Sequence, residues 1–147
     1  MPTQADRPAT EELWARLLKS PTAGEYLREN RERLPSLPDQ LGRLCRARGM
    51  SAADVIRAAG LERSFGYHLF RGTRNPSRDT VLQLAFGLCL SAGEAQELLK
   101  IARMSPLHPK VPRDAVLAHC LERRAGFLGA QEELEERELP LLGGENG

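Results

Sequence analysis

From residue 39 to residue 102 apolar side chains recur at intervals of three and four, and the runs are cut at short distances by glycines and by serines that can cap helices. That period places the apolar side chains on one face of a helix, so the pattern predicts a series of closely spaced amphipathic helices. The first spans about 39–48, with Leu41, Leu44 and Cys45 inward and Gly49 closing it. Ser51 caps the second, with Asp54 three residues on as a capping box; Val55, Ile56 and Ala59 form its stripe and Gly60 ends it. The third runs from about 62 to 70 and stops at Gly72, so only the tight turn through Gly60 and Leu61 separates it from the second, the spacing of a helix-turn-helix. Ser77 caps the fourth, which carries Val81, Leu84, Ala85 and Leu88; Ser91 and Glu94 box the start of a fifth, which buries Leu98, Leu99 and Ala102.

The flanks are helical as well. Thr10 reads as the N-cap of a short helix carrying Leu13, Trp14, Leu17 and Leu18 and ending near Pro21, and a second covers 23–33 with Tyr26 and Leu27 inward. Their expected role is packing or dimerisation. After the proline-rich connector MSPLHPKVPR, helices are expected at 114–124 and 128–138, followed by a frayed tail, LPLLGGENG. The second half also repeats with an offset of 35 residues. Arg78, Asp79, Val81, Leu82, Ala95, Gln96, Glu97, Leu99 and Leu107 recur as Arg113, Asp114, Val116, Leu117, Ala130, Gln131, Glu132, Leu134 and Leu142, as two stacked helical hairpins would require. The expected fold is all-α. It comprises an N-terminal helical segment at 1–36, a helix-turn-helix domain at 37–104, a C-terminal helical extension at 105–142 and a disordered tail at 143–147.

Charge sharpens this picture. The net charge is +1, but residues 39–80 hold eight arginines against Asp39, Asp54, Glu62 and Asp79, a local excess of +4, whereas residues 81–147 stand at −3. A basic centre is the footprint of a phosphate-facing surface. No apolar run approaches the roughly 20 residues of a membrane span, and the start of the chain lacks the n- and h-regions of a signal peptide, so a cytoplasmic location is expected. Cys45, Cys89 and Cys120 are odd in number, form no CxxC pair and read as buried thiols. His119 beside Cys120 points about 100° away from it, a poor arrangement for chelation. Metal binding and cofactors are not expected. Enzymatic motifs are missing too: there is no phosphate loop, no HExxH and no nucleophile–base pattern. The glutamates at 132, 133, 135, 136 and 138 read as a solvated face.

The stretch from Leu41 to Leu88 resembles, without a gap, the Cro and phage-repressor helix-turn-helix domains, often called the XRE family. The resemblance is carried by Arg48-Gly49 leading to Ser51, by the Ala59-Gly60 turn, and above all by RGTRNPSRDTV at 71–81. The DNA-reading part is 37–90; extended through LSAGEAQELLKIA to the connector, the pattern looks like a group of uncharacterised Gram-positive regulators of this type. The resemblance implies double-stranded DNA as partner, with the third helix in the major groove and the second braced against the backbone. Arg63, Ser64, Tyr67 and His68 then face base edges, Arg63 able to donate two hydrogen bonds to guanine O6 and N7. Arg71, Thr73, Arg74, Asn75, Ser77 and the capping Ser51 fall where the backbone is contacted. Arg43 and Arg46 or Arg48 would add more distant charge. A homodimer is expected, since one such domain reads only half a site.

Three positions depart from the pattern. Ala52 replaces a glutamine that bridges phosphate and recognition helix in many relatives. Gly66 stands where a branched apolar residue is usual, leaving space for Phe65 or Phe70 to fill, and Phe70 replaces an acidic residue, an aromatic that would serve a partner if exposed. These features keep a second reading in play: an adaptor or antitoxin that uses the same scaffold, or the C-terminal helices, to hold a protein.

Overall fold

The computed structural model describes residues 10–31, 34 and 36–144, and the chain divides into two compact units, Met1–Pro35 and Ser36–Gly147. In the first, α1 (Thr10–Lys19) and α2 (Ala23–Glu29) form a short hairpin. Thr10 lies within α1 as its first residue, not before it as a cap. Thr22 caps α2 by accepting from the Glu25 amide, and Arg16 donates to the buried Asn30 side chain at 3.2 Å. Tyr26 is buried as expected, but Leu27 is exposed, and so are Trp14 and Leu18. Two helices of ten and seven residues have too little surface to cover both stripes. Helix α2 ends at Glu29 with Asn30 as its C-cap, short of the end expected at 33, a position outside the described residues.

The second unit packs α3 (Leu37–Arg48), α4 (Ala52–Ala58), α5 (Arg63–Arg71), α6 (Arg78–Gly87), α7 (Ala92–Ile101), α8 (Pro112–Glu122) and α9 (Gly126–Glu136). The expected caps are present. Ser51 and Ser91 each form a full capping box, Ser77 accepts from the Thr80 amide, and Gly49 and Gly72 close α3 and α5 in the left-handed conformation. Helix α6 lies at the centre. Thr80 through Leu88 are all buried on it, because α4 covers one side while α7 and α9 cover others. A single apolar cluster therefore runs from Leu41 and Val55 through Leu82 and Leu98 to Leu117, Leu134 and Leu142.

The 35-residue repeat is a real structural duplication. Helices α6 and α7 form one hairpin and α8 and α9 the other, and the two are joined by exchanged ion pairs. Arg78 grips Asp114 with two hydrogen bonds of 3.0 Å, while Arg113 grips Asp79 with two of 2.9 Å. The correspondence extends to the backbone. Arg78 donates to the carbonyls of Ser105 and Pro106, and Arg113 to those of Pro140 and Leu141. The His108 amide donates to Asp114 as the Gly143 amide does to Asp79. Gln96 makes a two-way hydrogen-bonded pair with the Leu107 backbone, and Gln131 with that of Leu142. Even the positive-φ residues recur, Cys89 with Arg124 and Arg103 with Glu138. The frayed tail therefore does not hold from Pro140 to Gly143: Leu142 is buried and Gly143 is tied to α6. Residues 145–147 lie outside the described residues.

Burial works against the Asp79 charge, but hydrogen bonds and charge from Arg113, the Gly143 amide and Arg78 prevail and hold its pKa below the ordinary carboxylate value. A carboxyl depressed in the folded state stabilises fully above its unfolded value of about 3.9, and that contribution is lost as pH falls through the lower folded value. Urea unfolding at a series of pH values should therefore show an acid-side loss of stability, beginning near pH 4, that is shallower in Asp79→Asn.

Candidate nucleic-acid interface

Helix α5 owes its position to α4 and to a glycine. A Cβ built on Gly66 would stand 2.5 and 2.6 Å from the two γ-carbons of Ile56, so the missing side chain is what lets α4 and α5 meet with Ile56 between them. The space left by Gly66 is thus filled by Ile56, not by Phe65 or Phe70. Both phenylalanines are half-buried against the core, so Phe70 is not the freely exposed aromatic its position suggested. We expect Gly66→Ala to cost about 1–3 kcal/mol by overpacking and Ile56→Ala about 2–5 kcal/mol by leaving a cavity. The double variant should lose less than the sum of the two. Additive losses in a double-mutant cycle by urea unfolding would count against this packing.

With Gly66 and Leu69 inward, the opposite face of α5 turns outward. Arg63 and Ser64 are exposed, Tyr67 and His68 are half-exposed, and Arg71 is exposed at its end. Four-residue spacing aligns Arg63, Tyr67 and Arg71, and both guanidiniums lie 5.9 Å from the centre of the Tyr67 ring. Arg74, in the following loop, lies 5.8 Å from the Phe65 ring. His68 Nδ1 and Thr73 Oγ1 lie 2.7 Å apart, and the Thr73 hydroxyl is also 3.3 Å from the His68 carbonyl, so the ring is held through Nδ1 and Nε2 is left for another partner. Thr73 and Asn75 are exposed beside Arg74.

Two amides in the first turn of α5 are already satisfied. Glu62 accepts from the amides of Phe65 and Ser64, which holds its pKa below the ordinary value, so an anion would meet a carboxylate there. Ser51 and Ser77 both use their side chains as caps, Ser77 also bonding Thr80 at 2.9 Å. A neutral cap leaves the amides at the start of α6 the more favourable backbone site for an anion.

Two arginines of the basic centre are withdrawn from the surface charge. Arg48 donates from Nη2 to both carboxylate oxygens of Glu94 and from Nε to the Leu88 carbonyl at 2.7 Å, and Arg78 is held by Asp114. Neither adds charge for a ligand, which spacing alone did not reveal. Arg43 and Arg46 are exposed, as is Arg57, 3.7 Å from Asp54. Cys45 and Cys120 are buried, but Cys89 is exposed, because its positive φ of 57° turns the chain between α6 and α7 there. Among the described residues no group of three or more His, Cys, Asp and Glu side chains is placed to hold a metal ion, and no helix is long and apolar enough to cross a membrane.

The turn between α4 and α5 is braced from beyond this region. Gly60, at φ 70°, lies under the Phe127 ring of α9, and Gln83 of α6 donates to the Ala59 carbonyl at 3.1 Å. No curated protein and no solved structure matches the chain. Residues 36–98, somewhat less than half of the chain, match the family model described as a helix-turn-helix domain. The chain is thus an all-α protein with a lambda-repressor-like fold, built around a helix-turn-helix domain similar to those of DNA-binding regulators.

Proposed function

We propose that this protein is a sequence-specific transcriptional regulator of the Cro and repressor type, acting in the cytoplasm as a homodimer on double-stranded DNA. The observation that carries the reading is the outward ridge of α5. Arg63, Ser64, Tyr67, His68 and Arg71 share one face while Gly66 and Leu69 hold the other against the core. A helix so presented fits the major groove. Arg63 reads guanine through two parallel hydrogen bonds, with Ser64, Tyr67 and His68 on neighbouring base edges. Arg71, Thr73, Arg74 and Asn75 grip the phosphates after the helix, and Ser51 and Ser77 present helix N-termini to the backbone. Two copies reach successive major-groove faces about 34 Å apart. Of the features that favour the adaptor and antitoxin alternative, Gly66 and Phe70 are accounted for by packing against Ile56 and the core, while Ala52 and the small net charge are not.

Selection of bound sequences from random duplexes, repeated with Arg63→Ala and Arg74→Ala, tests the roles. Arg63→Ala should relax base preference and cost about 1–3 kcal/mol, while Arg74→Ala should weaken all sequences alike and reduce the salt slope by about 1. With six phosphates neutralised, log K should fall against log salt with a slope of about −5. A slope near zero would remove the DNA reading, and equal effects of the two substitutions would contradict the assignment of roles.

A further inference from the structure

Helix α1 carries an apolar face that its own unit does not cover. No residue of this ten-residue helix is buried. Leu13 and Leu17 are half-buried, but Glu11, Trp14, Ala15 and Leu18, at spacings of three and four, are all exposed, Trp14 at 58% and Leu18 at 77%. These four share one face. In the second unit the exposed large apolar side chains, Val111, Leu128 and Leu141, fall on three separate segments.

We propose that this face pairs with the same face of a second copy, the two α1 helices running antiparallel across a two-fold axis at Ala15. The inference rests on the two-copy part of the reading above and names the surface that forms the pair. Its charges select the occupant. A two-fold at Ala15 brings each residue opposite the one equally far on the other side, so Glu11 faces Lys19 of the second copy, twice over. Both are exposed. Ala15, the small residue of the face, sits where the helices approach most closely. At a rise of 1.5 Å per residue, Trp14 lies only about 3 Å along the axis from Leu18 of the second copy, within reach of an indole. A parallel pair would instead bring like charges together.

Trp14 is the only tryptophan of the chain, so its emission reports on this contact in the natural protein. Without DNA, the emission should shift to the blue as concentration rises, in step with a monomer-to-dimer change in sedimentation, and Trp14→Ser with Leu18→Ser should sediment as a monomer. Glu11→Lys and Lys19→Glu should each weaken association roughly tenfold, since each replaces two attractions by two repulsions. The double reversal, Glu11→Lys with Lys19→Glu, should restore it. That restoration separates pairing from helix stability, because the double reversal opposes the helix dipole at both ends and makes α1 itself less favourable. Thermal unfolding followed by circular dichroism checks that the cooperative transition is kept in every variant. A monomer at all concentrations, a blue-shifted emission that does not depend on concentration, or a double reversal no better than either single one overturns the proposal. Because no DNA is present, such a result leaves the groove-binding reading standing, while loss of duplex binding with association intact counts against that reading alone.

Discussion

Gly87→Ala should lower the unfolding free energy of the second unit by about 3 kcal/mol, towards the upper end of overpacking costs. A Cβ at this position would lie 2.5 Å from the Val55 carbonyl oxygen, 2.9 Å from the Ala59 Cβ and 3.1 Å from the Ala59 amide nitrogen. Two of these three are backbone atoms of α4 and its C-cap, so no change of rotamer relieves the contact, and α4 must move away from α6. The displaced helix is the one on which α5 rests. Duplex affinity should therefore fall along with stability, although Gly87 is buried on α6 and faces no ligand. Thermal unfolding should show a loss on the order of 10 °C. Gly93→Ala is the control: the added carbon meets nothing nearer than the Ser91 hydroxyl at 4.0 Å, and helix propensity should raise stability by about 0.5 kcal/mol. Equal behaviour of the two variants would show that the α4–α6 approach is not what requires glycine.

Asp114→Ala should cost about 3 kcal/mol, the range in which breaking a buried ion pair falls. The Asp114 side chain is only 7% exposed, and it accepts two hydrogen bonds from Arg78 and one from the His108 amide. Its removal leaves a guanidinium, itself only a quarter exposed, with backbone carbonyls alone, and strands an amide. Removing Arg78 as well should recover part of the loss, since the uncompensated charge is then gone. The duplication makes a second demand. Asp79→Ala, at the equivalent position, should cost a comparable amount, because Asp79 holds Arg113 and the Gly143 amide in the same way. Losses below about 1 kcal/mol in urea unfolding would mean that these pairs only decorate a junction held by its apolar side chains.

Much of the second unit was legible in the chain. The capping residues Ser51, Ser77 and Ser91 and the closing glycines 49 and 72 act within a few residues of themselves, so their effect on the backbone is written locally. The outward positions 63, 64, 67 and 68 of α5 came from the resemblance, whereas Arg71, expected in the loop after the helix, proves to be its last residue and joins 63 and 67 on one face. The repeat was visible as recurring letters, but its meaning was not. Arg78 and Asp79 look like two more solvated charges until the fold brings them against Asp114 and Arg113, some 35 residues away. Counting Arg48 and Arg78 towards a basic surface failed on this point, because a sequence reports charge but not what it faces.

The residues by themselves determined, within two residues, where the helices of the second unit begin and end, α8 and α9 lying two residues earlier than expected, and that α4 and α5 are joined by a tight turn. Those are short-range matters of hydrogen bonding and period. Tertiary packing alone decided that Ile56 takes the room left by Gly66, that Phe127 covers Gly60 and that the tail through Gly143 is strapped to α6. It also left Trp14 and Leu18 uncovered, because burial depends on which surfaces happen to meet, and no residue's neighbours in the chain specify its neighbours in space.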